Sequence, residues 1–191
     1  MGTTFKGAYD DLDSIISALD KEGVHQRYIH IDAALGKLFL PFVEQLNKHN
    51  FPVFDFWKDI DIISVSSHKA IGAPFPFAVL MSFKEKIAYQ AKHIDYIETL
   101  DSTLTGSRNG MAPILLRYNI ATHGKGGFCK KAEEMLEMSD YACERLSELE
   151  YNAWKNELEI TVIFDRPDKW IIRKWSLSPP RQYVQLFTMP S

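Results

Sequence analysis

The chain has 191 residues, 46% of them apolar and 25% charged, a composition that fits an ordinary globular protein and excludes a disordered or membrane-embedded one. A formal net charge of −3, without a stripe of Lys and Arg interleaved with aromatics, argues against nucleic acid as a partner. No signal-peptide pattern opens the sequence, and no apolar run approaches the roughly 20 residues of a membrane span. Cys129 and Cys143 lack Cys-x-x-Cys spacing and read as free buried thiols rather than a metal or redox site. A cytoplasmic protein without a metal is expected.

In chain order, Leu12, Ile15, Ile16 and Leu19 recur at three- and four-residue spacing and predict a helix over 9–22 that stops at Gly23. Asp10 and Asp11 suit its positive N-terminal end. Residues 28–31 predict a short strand leading to Asp32, and the βα alternation argues for a parallel sheet with functional groups at the carboxyl ends of its strands. Residues 38–56, apolar, aromatic and broken by Pro41 and Pro52, predict a surface wrap with one short helix, and simple packing is the better reading of their role.

Residues 61–65 and 77–82 predict two strands flanking a loop from Ser64 to Pro76, with Lys69 at its centre. A lysine held in such a loop is a candidate for covalent chemistry, because burial beside a second cation such as His68 favours the neutral, nucleophilic amine. Ser66, Ser67 and His68, with the loop's backbone N–H groups, offer donors for a phosphate. An ordinary solvated lysine is the alternative.

Residues 83–91 and 93–98 lead to a small and polar loop over 101–110, which suits a plain turn or a phosphate-contacting edge. A helix is predicted over 111–123, a break over 124–127, and a long helix over 128–150. That second helix carries a buried stripe of Ala132, Met135, Leu136, Ser139, Ala142, Cys143 and Leu146. A strand over 159–164, a helix over 167–175 and a strand over 183–188 complete the chain. A boundary near 147–151 divides a larger unit, 1–148, from a small αβ unit, 149–191.

The run Ser66, Ser67, His68, Lys69, Ala70, Ile71, Gly72 resembles the cofactor-lysine motif of the pyridoxal phosphate-dependent amino-acid decarboxylases of the aspartate-aminotransferase fold. His30, Ile31, Asp32, Ala33, Ala34 upstream and Gly106, Ser107, Arg108, Asn109, Gly110 downstream stand in the order that family has them. The opening Gly2, Thr3, Thr4, with Lys6, Gly7 and Ala8, and the run Ile160 to Phe164 near the end, are similar to the branch holding bacterial histidine decarboxylases and plant serine decarboxylases.

The resemblance implies an α/β protein of fold type I, with a partial large domain and a small C-terminal unit, and pyridoxal 5'-phosphate as cofactor. Lys69 would form the Schiff base, Asp32 would keep the pyridine nitrogen protonated, and Ala34 would let the ring lie against it. Ser66, His68 and Thr4 would line the cofactor site. Gly106 and Ser107 match a segment that reaches the phosphate of a neighbouring subunit, which implies a homodimer, and Arg108 either joins that contact or forms a structural ion pair.

The reaction implied is decarboxylation of a small amino acid, histidine to histamine, with serine as the alternative. The chain resembles a sequence truncated at both ends, without the portion that carries a Gly/Ser-rich phosphate loop and a ring that stacks on the cofactor. A second polypeptide supplying that portion, or an inactive remnant that folds and dimerises without catalysis, are the further readings. Near the end this chain reads Tyr183, Val184, Gln185, Leu186 where many relatives carry a histidine.

Overall fold

The computed structural model describes residues 3–36, 39–43, 59–88, 92–95, 98–101, 108–177 and 182–189. Helix α1 (Leu12–Lys21) begins two residues after the aspartate pair begins, because the Asp11 carboxylate caps it, accepting from Ser14 N at 3.2 Å. The helix is therefore shorter than the apolar spacing predicts, and Tyr9 is left outside it. Of the expected apolar face, Leu12 is buried and Ile16 packs beside it, whereas Ile15 is exposed.

Strand β1 (His30–Asp32) pairs in parallel with β2 (Ile62–Ser66), and β2 pairs antiparallel with β3 (Ala78–Ser82). Alternation along β1 and β2 turns Ile31, Ile63 and Val65 into a core with Leu12, Ala33 and Ile60, closed by α1. His30 and Asp32, two residues apart, point to the opposite, open face. Fully burying one such side chain stabilises the fold by roughly 1.5–3 kcal/mol, so the β1–β2 register is strongly specified.

Where residues 38–56 are described they pack and form one short helix, as expected, but they lie in the core instead of wrapping over the surface. Phe39, Leu40 and Val43 are buried around a single 3-10 turn, Leu40–Phe42, and face Ala132 and Met135. Three aromatic and aliphatic side chains within five residues gain more from burial than a solvated wrap would allow. A short helix α2 (Lys84–Ala88) and a hairpin of β4 (Lys92–Ile94) and β5 (Thr99–Asp101) follow; the hairpin was not expected from the sequence.

Helix α3 (Met111–Glu148) holds both predicted helices, and the break falls at Gly124, whose φ of 55° and ψ of −171° lie outside helical space. Phe128, Ala132, Met135 and Ser139 make its buried side, with Leu136, Ala142, Cys143 and Leu146 half-buried. Strands β6 (Thr161–Asp165) and β7 (Tyr183–Phe187) pair antiparallel, with helix α4 (Lys169–Lys174) between them in sequence. One core cluster joins Leu35, Phe39, Leu40 and Val43 to Leu158 and Ile160, so packing crosses the boundary drawn at residue 148. Among the described residues no helix is long and apolar enough to cross a membrane.

Candidate functional site

The carboxyl ends of β1 and β2 carry the residues singled out in the sequence. Asp32 closes β1 opposite Ser64 of β2, and beyond it the two chains stay zipped: Ala33 N donates to Ser64 O at 2.8 Å and Ser66 N to Ala34 O at 3.3 Å. Asp32 exposes its side chain and accepts through Oδ1 from Ala34 N at 3.0 Å, which fixes the turn after the strand. Asp32, Ala34 and Ser66 are thereby brought together, with Lys69 in the turn that leaves β2.

That turn is tightly tied. Gly72 N donates to Lys69 O at 2.8 Å, and Gly72 holds φ at 71°, a conformation that favours glycine. Ser67 is fully buried, donating its hydroxyl to Phe77 O at 2.7 Å while its own carbonyl accepts from Ala73 N at 3.0 Å. Ser67 is thus a structural pin between β2 and β3, and not the phosphate donor expected from its position. Lys69 is half-buried and His68 exposed, so the two do not share a buried site. Ser66, half-buried at the end of β2, keeps its place among the candidate donors.

From α3, Asn119 Nδ2 reaches Ile71 O at 3.4 Å, which leans the helix on the lysine turn. Asn119 carried no signal in the sequence, because this tie spans 48 residues. His30, read only as part of a motif, places Nε2 3.0 Å from Ser64 Oγ on the same open face as Asp32. Its position two residues before Asp32 in a strand was the available clue.

The remaining expected residues lie apart. Thr4 is exposed in a turn over 3–8 that rests against β6 and β7 rather than on β1 and β2. Gly106 and Ser107 fall outside the described residues. Arg108 is exposed just before α3 and makes no ion pair among the described residues, and Asn109 Oδ1 accepts from Met111 N at 2.9 Å as the helix begins. An amine, a carboxylate, a small residue and a hydroxyl at the ends of adjacent parallel strands form a donor set that fits an aldehyde cofactor with a basic ring nitrogen and an anionic group.

Comparison with known proteins agrees with that geometry. Residues 1–164 match the family model described as the pyridoxal-dependent decarboxylase conserved domain. Serine decarboxylase 3 of Oryza sativa subsp. japonica is 40% identical over 194 residues, covering 100% of this chain and 42% of the relative. Histidine decarboxylase of Morganella morganii is 36% identical, covering 98% of this chain and 49% of the relative. Among solved structures, L-methionine decarboxylase from Streptomyces sp. 590 superposes with a TM-score of 0.87 at 26% identity, covering 99% of this chain and 49% of that one. The chain spans less than half the length of these relatives.

Proposed function

The chain belongs to the pyridoxal-dependent decarboxylase family, and on that premise we propose that it carries the lysine-bearing portion of an amino-acid decarboxylase. Lys69 is the amine that takes the cofactor aldehyde, and Asp32 is the carboxylate beside the ring nitrogen. The observation that carries the assignment is the parallel register of β1 and β2, which sets Asp32 and the Lys69 turn at one sheet edge. Bound there, pyridoxal phosphate supplies the electron sink for the carbanion left when carbon dioxide departs.

The protein's own residues do the rest. Asp32, negatively charged and fixed by Ala34 N, favours a proton on a ring nitrogen beside it. Lys69 would hold the cofactor through its aldehyde and give it up to the substrate amine. Ala34 leaves room for a flat ring, and Ser66 and His68 offer donors to the phosphate; Gly106 and Ser107 would serve a neighbouring subunit, and Thr4 enters this reading by the family pattern alone.

The substrate of this reading is L-histidine, supported by the 36% identity to a histidine decarboxylase. L-serine is the second reading, supported by the 40% identity to the rice enzyme. We read the working protein as a cytoplasmic homodimer. The test is incubation with pyridoxal phosphate, borohydride reduction and peptide mapping. A reduced adduct on Lys69, lost in Lys69→Ala, is expected, and carbon dioxide release from histidine against serine then assigns the substrate. An adduct persisting in Lys69→Ala overturns the assignment, and an adduct without turnover of any amino acid marks the chain as a non-catalytic remnant.

A further inference from the structure

Glu159 is a carboxyl group in the core that the proposed reaction does not use. It is fully buried just before β6, and its carbonyl accepts from Ser139 Oγ of α3 at 3.1 Å and from Lys155 Nζ at 3.3 Å. Its Oε1 takes the Ile160 N–H at 3.0 Å, the Thr161 N–H at 3.1 Å and the Thr161 hydroxyl at 2.8 Å. Oε2 is buried too and takes no backbone N–H. Gly7 covers it, and the Tyr9 hydroxyl bonds the same carboxyl.

The charged groups around this pair leave the carboxyl without a counter-ion. Lys6, on the covering turn, stands with Nζ over the Trp154 ring at 5.9 Å to its centroid, and Lys155 Nζ pairs with Asp140 Oδ1 of α3 at 2.6 Å. Among the described residues no cation pairs with the Glu159 carboxyl. Tyr9 itself packs on the cluster of Leu35, Leu40, Met135 and Ile160. A neutral carboxyl is tolerated in such surroundings, whereas an anion without a cation is costly. Burial raises the Glu159 carboxyl above its ordinary value and the Tyr9 phenol above its own.

Tyr9 carries this state to the end of β1. A β-carbon on Gly36 would stand 3.2 Å from Tyr9 Cε1 and 3.2 Å from Leu40 Cδ1, so the Tyr9 ring is seated against Gly36, in the turn that follows Asp32. Gly36 O in turn accepts from Phe39 N at 3.2 Å. We propose that Tyr9 and Glu159 form a proton-held clasp: with the proton on Glu159 the Tyr9 ring stays on Gly36 and the turn behind Asp32 is closed, and loss of that proton releases it. The clasp stands independently of the decarboxylase reading. Under that reading, the segment it closes is the one that carries Asp32 and Ala34.

The test is amide hydrogen exchange of the 191-residue chain by NMR from pH 4.5 upward, corrected for the intrinsic rate at each pH. Phe39 N, bonded to Gly36 O, reports the seat of the Tyr9 ring, and Gly7 N, bonded to Thr3 O at 2.9 Å, reports the covering turn. Opening at both amides is expected to rise up to about tenfold per pH unit until Glu159 has lost its proton, and then to level off. Glu159→Gln, which has no proton to lose, is expected to give flat profiles at both. Tyr9→Phe keeps the ring without the hydroxyl and is expected to keep the rise at Gly7 while losing it at Phe39. A wild-type chain whose opening at Phe39 does not change with pH overturns the proposal. So does a rise at Phe39 that persists in Glu159→Gln or in Tyr9→Phe.

Discussion

Gly7 lies directly over the side chain of Glu159: a β-carbon placed on Gly7 would stand 2.6 Å from Glu159 Cδ, and the Gly7 backbone holds φ at 61°. Both conditions exclude any other residue without a shift of the turn. Gly7→Ala therefore combines overpacking, roughly 1–3 kcal/mol, with a strained backbone, roughly 1 kcal/mol or more. Urea unfolding of the variant is expected to show a lower midpoint with an unchanged slope. A midpoint equal to that of the wild type would show that the turn does not rest on Glu159 in solution.

Glu159 gives the same contact a pH dependence. Burial raises its carboxyl above the ordinary 4.5, and bonds from Tyr9, Thr161 and the Ile160 and Thr161 amides offset only part of that rise. The native state therefore favours the protonated form more than the unfolded chain does. Its contribution is full below the ordinary value and is lost as pH rises through the raised one. Asp20, lowered chiefly by its bond to Arg27, behaves oppositely, losing its contribution as pH falls below 3.8, outside this window. Wild-type stability is expected to fall from pH 4.5 upward relative to Glu159→Gln, which has no proton to lose. Parallel stability profiles for the two proteins would remove Glu159 from the account.

On the proposed decarboxylase reading, the candidate cofactor site yields a prediction separable from stability. An opposite charge a few ångströms from a titrating nitrogen shifts its pKa by roughly 1–3 units. Asp32→Asn keeps the shape and an acceptor for Ala34 N but removes the charge. The expected result is a loss of carbon dioxide release of roughly 10- to 1,000-fold, with the reduced adduct on Lys69 still formed. Full turnover in Asp32→Asn would place the ring nitrogen elsewhere.

Much of this architecture is legible in the sequence where the determinants are local. Ile60, Ile63 and Val65 announce β2, the small residues after Lys69 announce a turn, and Gly124 announces the break in α3. What is hidden is the work done at long range. Nothing near Ser67 shows that its hydroxyl is taken by Phe77 O, ten residues on, and nothing near Lys6 points to Asn156, whose Nδ2 donates to Lys6 O. The hairpin of β4 and β5 was equally silent, because strands of three residues are too short to show an alternating pattern. Tyr9 shows the converse: its place in an apolar helical pattern suggested the helix, but burial beside Glu159 draws it into the core cluster instead.

The first half of α3 supplies the last prediction. Met111, Ile114 and Tyr118, at i, i+3 and i+7, are 53%, 58% and 67% exposed, so one stripe of the helix presents apolar side chains outward. Arg108 stands beside it, in the segment whose Gly106 and Ser107 are assigned to a neighbouring subunit's cofactor in the proposed reading. A stripe of that kind gains by pairing with a second copy, because a two-fold interface buries the same patch twice. Ile114→Glu places a charge in the middle of the stripe and is expected to convert a dimer into a monomer by light scattering, while leaving the helical signal intact, since glutamate is a good helix former. If Ile114→Glu and wild type share one mass, the stripe takes no part in self-association and the subunit contact lies elsewhere.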